Sequence, residues 1–302
     1  MGYAVFLFLL GALIAVLLTP ASVRAAVALG AIDHPDAGRH RHAHPTPRLG
    51  GLAIFFAAAV TALLFFPLDG ITAAWLSGSA LIVALGVSDD LYTLPPLPKL
   101  LALGAIATLP IAFGLAPDTL ILGTRAIFLS HPWNNLFALF WVLLLSNAFN
   151  LIDGSDGLAA SLATLSALSL FLLSGHPETL LLAGTAFGFL PYNRPALSSS
   201  GHALPTRSFL GDTGALFLGY SLAVFSLHGG SFSLAIPLLF TLPVFDLFRV
   251  FFLRLCRGKS PFDADRSHLH HLLAARGWSP GGILLFSLFL SLLGVLLAAT
   301  AI

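Results

Sequence analysis

The sequence predicts an all-α integral membrane protein, a polytopic bundle of about ten transmembrane helices, and three observations carry that reading. Hydrophobic residues make up 57% of the chain and charged residues 9%, with a mean hydropathy of +0.94, far outside the range of soluble domains. The apolar residues fall in runs close to the length that crosses a bilayer. The basic residues gather on one side of the layout those runs define. At 302 residues the chain holds about ten helices of roughly 20 residues with short connections, so one membrane-embedded domain over residues 1–302 is expected. A single cysteine, Cys256, excludes an internal disulfide and any cysteine-rich metal site. The net charge of +1 points to no partner class, and nothing indicates nucleic acid.

A helix-length hydropathy window places the spans at 3–18, 50–66, 71–87, 97–113, 136–152, 158–173, 179–190, 209–227, 234–253 and 282–299. The run at 3–18 has no basic leader and no small-residue cleavage site, so it reads as a first span and not as a removed signal peptide. The run at 179–190 is the shortest. Between the fourth and fifth spans, "GLAPDTLILGTRAIFLSHPWNN" is semi-polar with apolar pieces too short to cross, which predicts a loop carrying a hairpin or an interfacial segment. No internal repeat or low-complexity tract breaks the series.

Short cytoplasmic loops retain Lys and Arg. In this layout all 14 basic residues except Arg125 lie on or next to one side, which is therefore expected to be cytoplasmic, with an even number of spans and both termini outside. Of the 13 acidic residues only Asp69, Asp118 and Glu178 lie on the other side. Glu178 is also the one glutamate, and a population of aspartates on one face suits compact oxygen ligation of magnesium.

Four clusters on the basic face need a chemical account. In "GVSDDLYTLPPLPKL", Asp89 and Asp90 repel each other unless a cation or proton sits between them; a solvated helix end is the simpler reading. In "NAFNLIDGSDGLA", Asn147, Asn150, Asp153 and Asp156 recur every three residues, which would make each a helix-surface neighbour of the next. That many polar groups at a span end cost several kcal/mol, on the order of the intramembrane penalty for each charge, unless water, metal or ligand meets them. In "FLGDTGALFLG", Asp212 either caps the eighth span or serves as a magnesium ligand. In "SPFDADRSHLHHLL", the spacing of His268, His270 and His271 does not match a helical zinc site, and with Arg266 it suits phosphate oxygens better. The first basic loop, "AIDHPDAGRHRHAHPTPRLGG", reads as a phosphate-binding or ordering loop. Asp246 and Arg249 are expected to neutralise each other within the ninth span, and His131, His176 and His228 receive no role.

Taken in order, "PTPRLGG", "DD" followed by Lys99, "NAFNLIDGSDGLA", "YNRPA", "FLGDTG" and "PVFDLFRV" leading into "RGKSPFDADRSHLHHLL" resemble the polyprenyl-phosphate N-acetylhexosamine-1-phosphate transferases. These form glycosyltransferase family 4, with its WecA-like and MraY-like enzymes. The resemblance runs nearly the whole chain. It implies a UDP-amino sugar, most often UDP-N-acetylglucosamine, and a polyprenyl phosphate such as undecaprenyl phosphate as substrates. The products are then a polyprenyl-diphospho-sugar and UMP, starting a lipid-linked cell-envelope glycan at a bacterial inner membrane. It further implies Mg2+, with Mn2+ as a substitute, held principally by Asp212 together with Asp153. By the same resemblance the catalytic set is Asp89, Asp90, Asp153, Asp156 and Asp212, with Asp89 and Asp90 positioning the lipid phosphate or taking its last proton. Substrate would be bound by Arg48, Lys99, Asn147, Asn150, Asn193, Arg266, His268, His270 and His271. A homodimer is left open.

This sequence departs from the family pattern at Leu103, where glutamine is usual, at His40, commonly lysine, and in an apparent insertion at 197–208. These changes bear on sugar choice more than on reaction class. The "HLHH" segment is closer to the N-acetylglucosamine branch than to the phospho-N-acetylmuramoyl-pentapeptide branch, which stands as the alternative enzyme. An ion-coupled transporter is the alternative of a different class, and it would place ionisable groups and broken helices at the bilayer midplane.

Overall fold

The computed structural model describes residues 1–34, 45–194, 196–197, 203–204, 207–260 and 267–301. Helices stand at all ten expected positions. They are α1 (Gly2–Leu29), α2 (Gly50–Phe65), α3 (Gly70–Tyr92), α4 (Pro96–Ile106) continued by α5 (Thr108–Ala112), α6 (Trp133–Ile152), α7 (Leu158–Ser174), α8 (Pro177–Asn193), α9 (Gly211–Ser226), α10 (Thr241–Cys256) and, after the short α11 (Leu269–Ala275), α12 (Pro280–Ala301). Five helical stretches among the described residues are long and apolar enough to cross a membrane, and three more are shorter apolar helices. The outward faces of α1 and α12 carry Leu9, Leu13, Leu17, Leu285, Phe289 and Leu296, all exposed. A perimeter this apolar fits lipid and not water, so the chain is an all-α membrane protein.

Local departures from the expected spans have physical causes. Helix α1 runs 11 residues beyond its apolar stretch, to Leu29. Thr19 and Ser22 lower the hydropathy there, yet their hydroxyls donate back to the carbonyls of Ala15 and Thr19 and so cost the helix little. The fourth span is broken at Ala107 because Pro110 removes a donor and crowds the carbonyl four residues before it. The ninth begins as a 3-10 turn over Ile236–Phe240, and restarting at Thr241 leaves Pro243 in a first turn, where its missing N–H has no partner to lose.

Short strands fill the connections. Strands β1 (Ile32–Asp33) and β2 (Thr46–Pro47) pair antiparallel between α1 and α2, and β5 (Ala196–Leu197) pairs with β6 (Ala203–Leu204) between α8 and α9. The expected hairpin is present: β3 (Thr119–Leu122) pairs antiparallel with β4 (Arg125–Phe128). A third strand, β7 (Ser231–Ser233), which the sequence pattern did not indicate, runs parallel to β3. Because β4 leads into α6 and β7 follows α9, this sheet covers the end of the bundle where α6 begins and α9 stops.

Helix α9 is the axis. All residues from Thr213 to Ser226 are buried, against α2, α3, α6, α7 and α8. The polar groups this encloses are bonded across helices: Trp75 donates to Ser221 (2.8 Å), Trp141 to Ser226 (2.7 Å) and Tyr220 to the Ala74 carbonyl (3.1 Å). Helix α8 is pressed onto α1 through a small-residue stripe. A Cβ at Gly184 would come within 2.1 Å of the Phe8 carbonyl oxygen, and one at Gly188 within 2.3 Å of that of Ala12.

Gly188→Leu is expected to destabilise the protein by at least about 1–3 kcal/mol, because only backbone movement relieves the overlap. Gly104→Ala, which meets nothing within 4 Å, is expected to be neutral or slightly stabilising. Thermal unfolding in detergent, followed by tryptophan fluorescence, checks the contrast.

Candidate active site

The acidic motifs converge where α3 and α6 end and α9 begins. Close backbone approach makes this meeting feasible. A side chain on Gly86 would reach within 2.4 Å of the Thr213 Cα, and one on Gly51 within 2.1 Å of the Gly214 nitrogen, so α2 and α3 both touch the first turn of α9 directly. Gly211 supplies the left-handed φ of 72° that turns the chain into α9.

Asp90 holds that first turn. Its carboxylate accepts the backbone N–H of Asp212 (3.0 Å), the N–H of Thr213 (3.0 Å) and the Thr213 hydroxyl (2.7 Å). Two donors that a helix start leaves unsatisfied are thus met from another helix by a charged acceptor. Of the two readings open for Asp212, the cap is the one the structure overturns: α9 has no side-chain cap of its own, and Asp212 is left to face the cluster.

Lys99 is the hub. Its ammonium ion-pairs with Asp212 and with Asp89 (2.5 Å) and donates to the Asn150 side-chain oxygen (3.1 Å). Asn150 completes the ring by donating to Asp212 (2.9 Å), and Asp89 also accepts the Leu94 N–H (2.6 Å). Asn147 stands apart, since its amide donates back to the Leu143 carbonyl on its own helix (2.8 Å). The spacing of three, read as one helical face, holds only to Asn150. Helix α6 stops at Ile152, Asp153 follows as its cap residue, and Asp156 lies in the turn before α7. Enclosure, reinforced by the charges of Asp212, Asp90 and Asp156, pushes the Asp153 carboxyl well above the usual range.

The histidine segment is lashed to α10 by a residue that the sequence pattern assigned elsewhere. Asp246 pairs with Arg249, as expected, and its other oxygen faces His268 Nδ1 at 2.9 Å. It also accepts the Leu269 N–H at the start of α11 (3.1 Å), while Arg249 donates to the Ser267 carbonyl. His268 is thereby oriented, and the segment packs on the glycine of the acid turn: a Cβ on Gly154 would stand 2.1 Å from His270 Nε2. His270 is 3% exposed, and both its ring nitrogens lack a hydrogen-bond partner among the described residues. Burial, with His271 and His268 beside it, pushes its pKa down to about 3, so the ring is neutral. His271 lies against it, ring centroids 4.1 Å apart.

Two expected binding residues sit behind the site. The buried Asn193 accepts the Gly157 N–H (3.2 Å) and donates to the Ser208 carbonyl (3.0 Å), which uses both ends of its amide to tie the acid turn to the residues leading into α9. Arg48 is paired with Asp33 and contributes its carbonyl to the wall at Gly211. Arg266, Asp36, His40, His42 and His44 lie outside the described residues, as does most of the apparent insertion.

The donor set is made of hard oxygens from separate elements, and a cation, the Lys99 ammonium, already bridges two of them. Those carboxylates fit Mg2+.

Fold and site together define a membrane-embedded protein whose carboxylates, amides, lysine and histidines converge at one end of a helix bundle. The chain belongs to glycosyl transferase family 4, whose family model matches residues 72–230. It is 35% identical over 289 residues, covering 90% of this chain and 77% of the other, to a probable undecaprenyl-phosphate N-acetylglucosaminyl 1-phosphate transferase of Bacillus subtilis. It is 32% identical over 270 residues (87% and 81%) to an undecaprenyl-phosphate alpha-N-acetylglucosaminyl 1-phosphate transferase of Thermotoga maritima. To a decaprenyl-phosphate N-acetylglucosaminephosphotransferase of Mycolicibacterium smegmatis it is 30% identical over 298 residues (84% and 71%).

Asp90→Ala is expected to cost about 2–3 kcal/mol, the scale of losing charged hydrogen bonds to a helix start, with Thr213→Val costing less. Thermal melts of the two variants test the order. His270 takes a proton near pH 6.5 when unfolded but stays neutral in the fold down to about 3, so the unfolded state binds more protons between those values. Its contribution to stability is present above 6.5 and lost as pH falls, and His270→Gln is expected to flatten the decline in melting temperature between about pH 7 and 5.

Proposed function

We propose that the protein transfers N-acetylglucosamine-1-phosphate from UDP-N-acetylglucosamine to a polyprenyl phosphate, undecaprenyl phosphate by preference, and releases UMP. The observation that carries this reading is the Lys99, Asp89, Asp212 and Asn150 ring near the buried, neutral His270: anion-binding and cation-binding groups interleaved at one end of the bundle. The names of the Bacillus and Thermotoga relatives point to the same acceptor and sugar. The ten helices are read as ten spans with both termini outside and the site on the cytoplasmic face of a bacterial inner membrane, following the distribution of basic residues. A single transferase domain covers residues 1–302.

In the reaction an oxygen of the lipid phosphate attacks the phosphorus that carries the sugar. The new bond makes the lipid diphosphate, and the bond to the bridging oxygen breaks as UMP leaves. A phosphate monoester with a second pKa of about 6 is already largely dianionic near neutrality, so no strong base is required. The barrier is set by repulsion between two polyanions, which positioning and charge cancellation lower. Lys99 supplies one fixed positive charge and, on substrate entry, exchanges a carboxylate partner for a phosphate oxygen. Asp212, with Asp153 and with Asp89 and Asp156 nearby, would hold Mg2+ (or Mn2+), which when bound neutralises the diphosphate. Asp90 and Asn193 act as positioning residues, the first setting the direction of Asp212 and the second the acid turn. His268, His270, His271 and Arg266 bind the diphosphate or nucleotide, the neutral His270 ring as a hydrogen-bonding partner, with Arg48 and Asn147 in supporting positions.

Purified protein in detergent is expected to release UMP from UDP-N-acetylglucosamine only when both undecaprenyl phosphate and Mg2+ are added. Asp212→Asn should lower the rate by about 100-fold or more, the scale of losing a principal electrostatic group. Folded protein that releases no UMP with this donor or a panel of UDP-sugars would sink the reading.

A further inference from the structure

The end of the bundle opposite the acid cluster carries a second group of metal-type ligands that the transfer reaction does not use. His176 precedes α8, Glu178 lies in its first turn, and His228 follows α9. One ligand atom from each lies within 4.8 Å of the others. The two imidazoles stack with centroids 4.0 Å apart and planes 25° from parallel.

Local structure holds all three in place. The His176 carbonyl accepts the N–H and hydroxyl of Thr179 (3.2 and 2.7 Å), which fixes its backbone to the first turn of α8. His228 is held by its N–H to Phe225, and Gly229 and Gly230, with φ of 105° and 75°, then turn the chain away into β7. Glu178 is only 9% exposed. Its Oε2 and the Nδ1 of His228 are buried without a hydrogen-bond partner among the described residues. A carboxylate oxygen and an imidazole nitrogen enclosed and unpaired cost free energy unless something binds both. Two imidazoles packed face to face disfavour joint protonation, and burial with His176 alongside holds His228 below the ordinary histidine range, so the neutral, ligating form prevails. Asp69, which caps α3, adds negative charge nearby without joining the set.

We propose that His176, Glu178 and His228 form a binding site for a divalent transition-metal ion, zinc in the first instance. Two imidazole nitrogens and one carboxylate oxygen are borderline ligands that favour zinc over magnesium or calcium, and three protein ligands leave a fourth tetrahedral position for water. Zinc–ligand bonds of about 2.0–2.1 Å place ligand atoms about 3.3 Å apart, so binding would splay the stacked imidazoles from their near-parallel planes until both nitrogens face the ion. The ion would clip the start of α8 to the end of α9. These two helices carry Asn193 and Asp212 at their opposite ends, so the clip stabilises the frame of the reaction site while standing far from the chemistry.

The test uses the full-length protein in detergent, purified without a polyhistidine tag. Zinc is added, loosely bound metal is removed by gel filtration, and the retained zinc is measured by elemental analysis beside the melting temperature. The expected result is about one zinc per chain and a melting temperature that rises with zinc but not with magnesium. His176→Asn/His228→Asn and, separately, Glu178→Gln should weaken binding at least about tenfold and abolish the shift. His270→Gln/His271→Gln should retain both, which separates this site from the histidines at the other end. UMP release at moderate temperature should persist in Glu178→Gln. Wild-type protein that retains no zinc, or variants of the trio that retain as much as wild type, would overturn the proposal. If the double histidine variant does not fold, Glu178→Gln decides.

Discussion

Charge gathered at the end of an apolar bundle has to be compensated, and the rest of this structure depends on how that is done. Asp89, Asp90, Asp153 and Asp212 come from three separate helix ends, repel one another, and resist leaving water. Each is handled differently. Asp90 is spent on the backbone donors of α9, Asp89 and Asp212 share the Lys99 ammonium, and Asp153 has its ionisation suppressed by enclosure among the others. The compensation is incomplete, since the one lysine of the cluster pairs with only two of the four carboxylates. A site left short of positive charge in this way invites a divalent cation, and a cation then invites phosphate.

The bundle is built to make that convergence possible. Helix α9 is buried on all sides, so its first turn can be reached by α2 and α3 only where glycines let backbones touch. Its other end is enclosed by indole-to-hydroxyl bonds from α3 and α6 and by the small sheet. The outer helices α1 and α12 add apolar surface for lipid. The precision of the site is thus set by the most buried helix.

Much of this was legible in the residues themselves. Hydropathy placed a helix at each of the ten expected positions and missed only the short α11, because burial in lipid and burial in protein demand the same apolar composition. The acid and histidine motifs stood out because polar groups are rare in such a chain. Contacts were harder. The same adjacency of Asp89 and Asp90 that pointed to a shared cation hid the fact that successive residues leave a helix 100° apart, so one turns to Lys99 and the other to α9. Asp246 looked spent on Arg249, three residues away, and nothing in the spacing revealed that its second oxygen orients His268, 22 residues on. Asn193 looked like a binding residue because its motif does, while its burial behind the acid turn is a property of the tertiary fold. His176 and His228, 52 positions apart, are neighbours only because α8 and α9 run in opposite directions.

The central claim is that the carboxylates at the start of α9 form one cation-dependent phosphate site. Manganese-edge anomalous scattering from crystals soaked in Mn2+ tests it most directly. A peak within bonding distance of the Asp212 carboxylate, strengthened when UDP-N-acetylglucosamine is present and lost in Asp212→Asn, is the predicted result. Scattering absent from the start of α9, with Lys99 still bridging Asp89 and Asp212 at saturating metal and nucleotide, would contradict it.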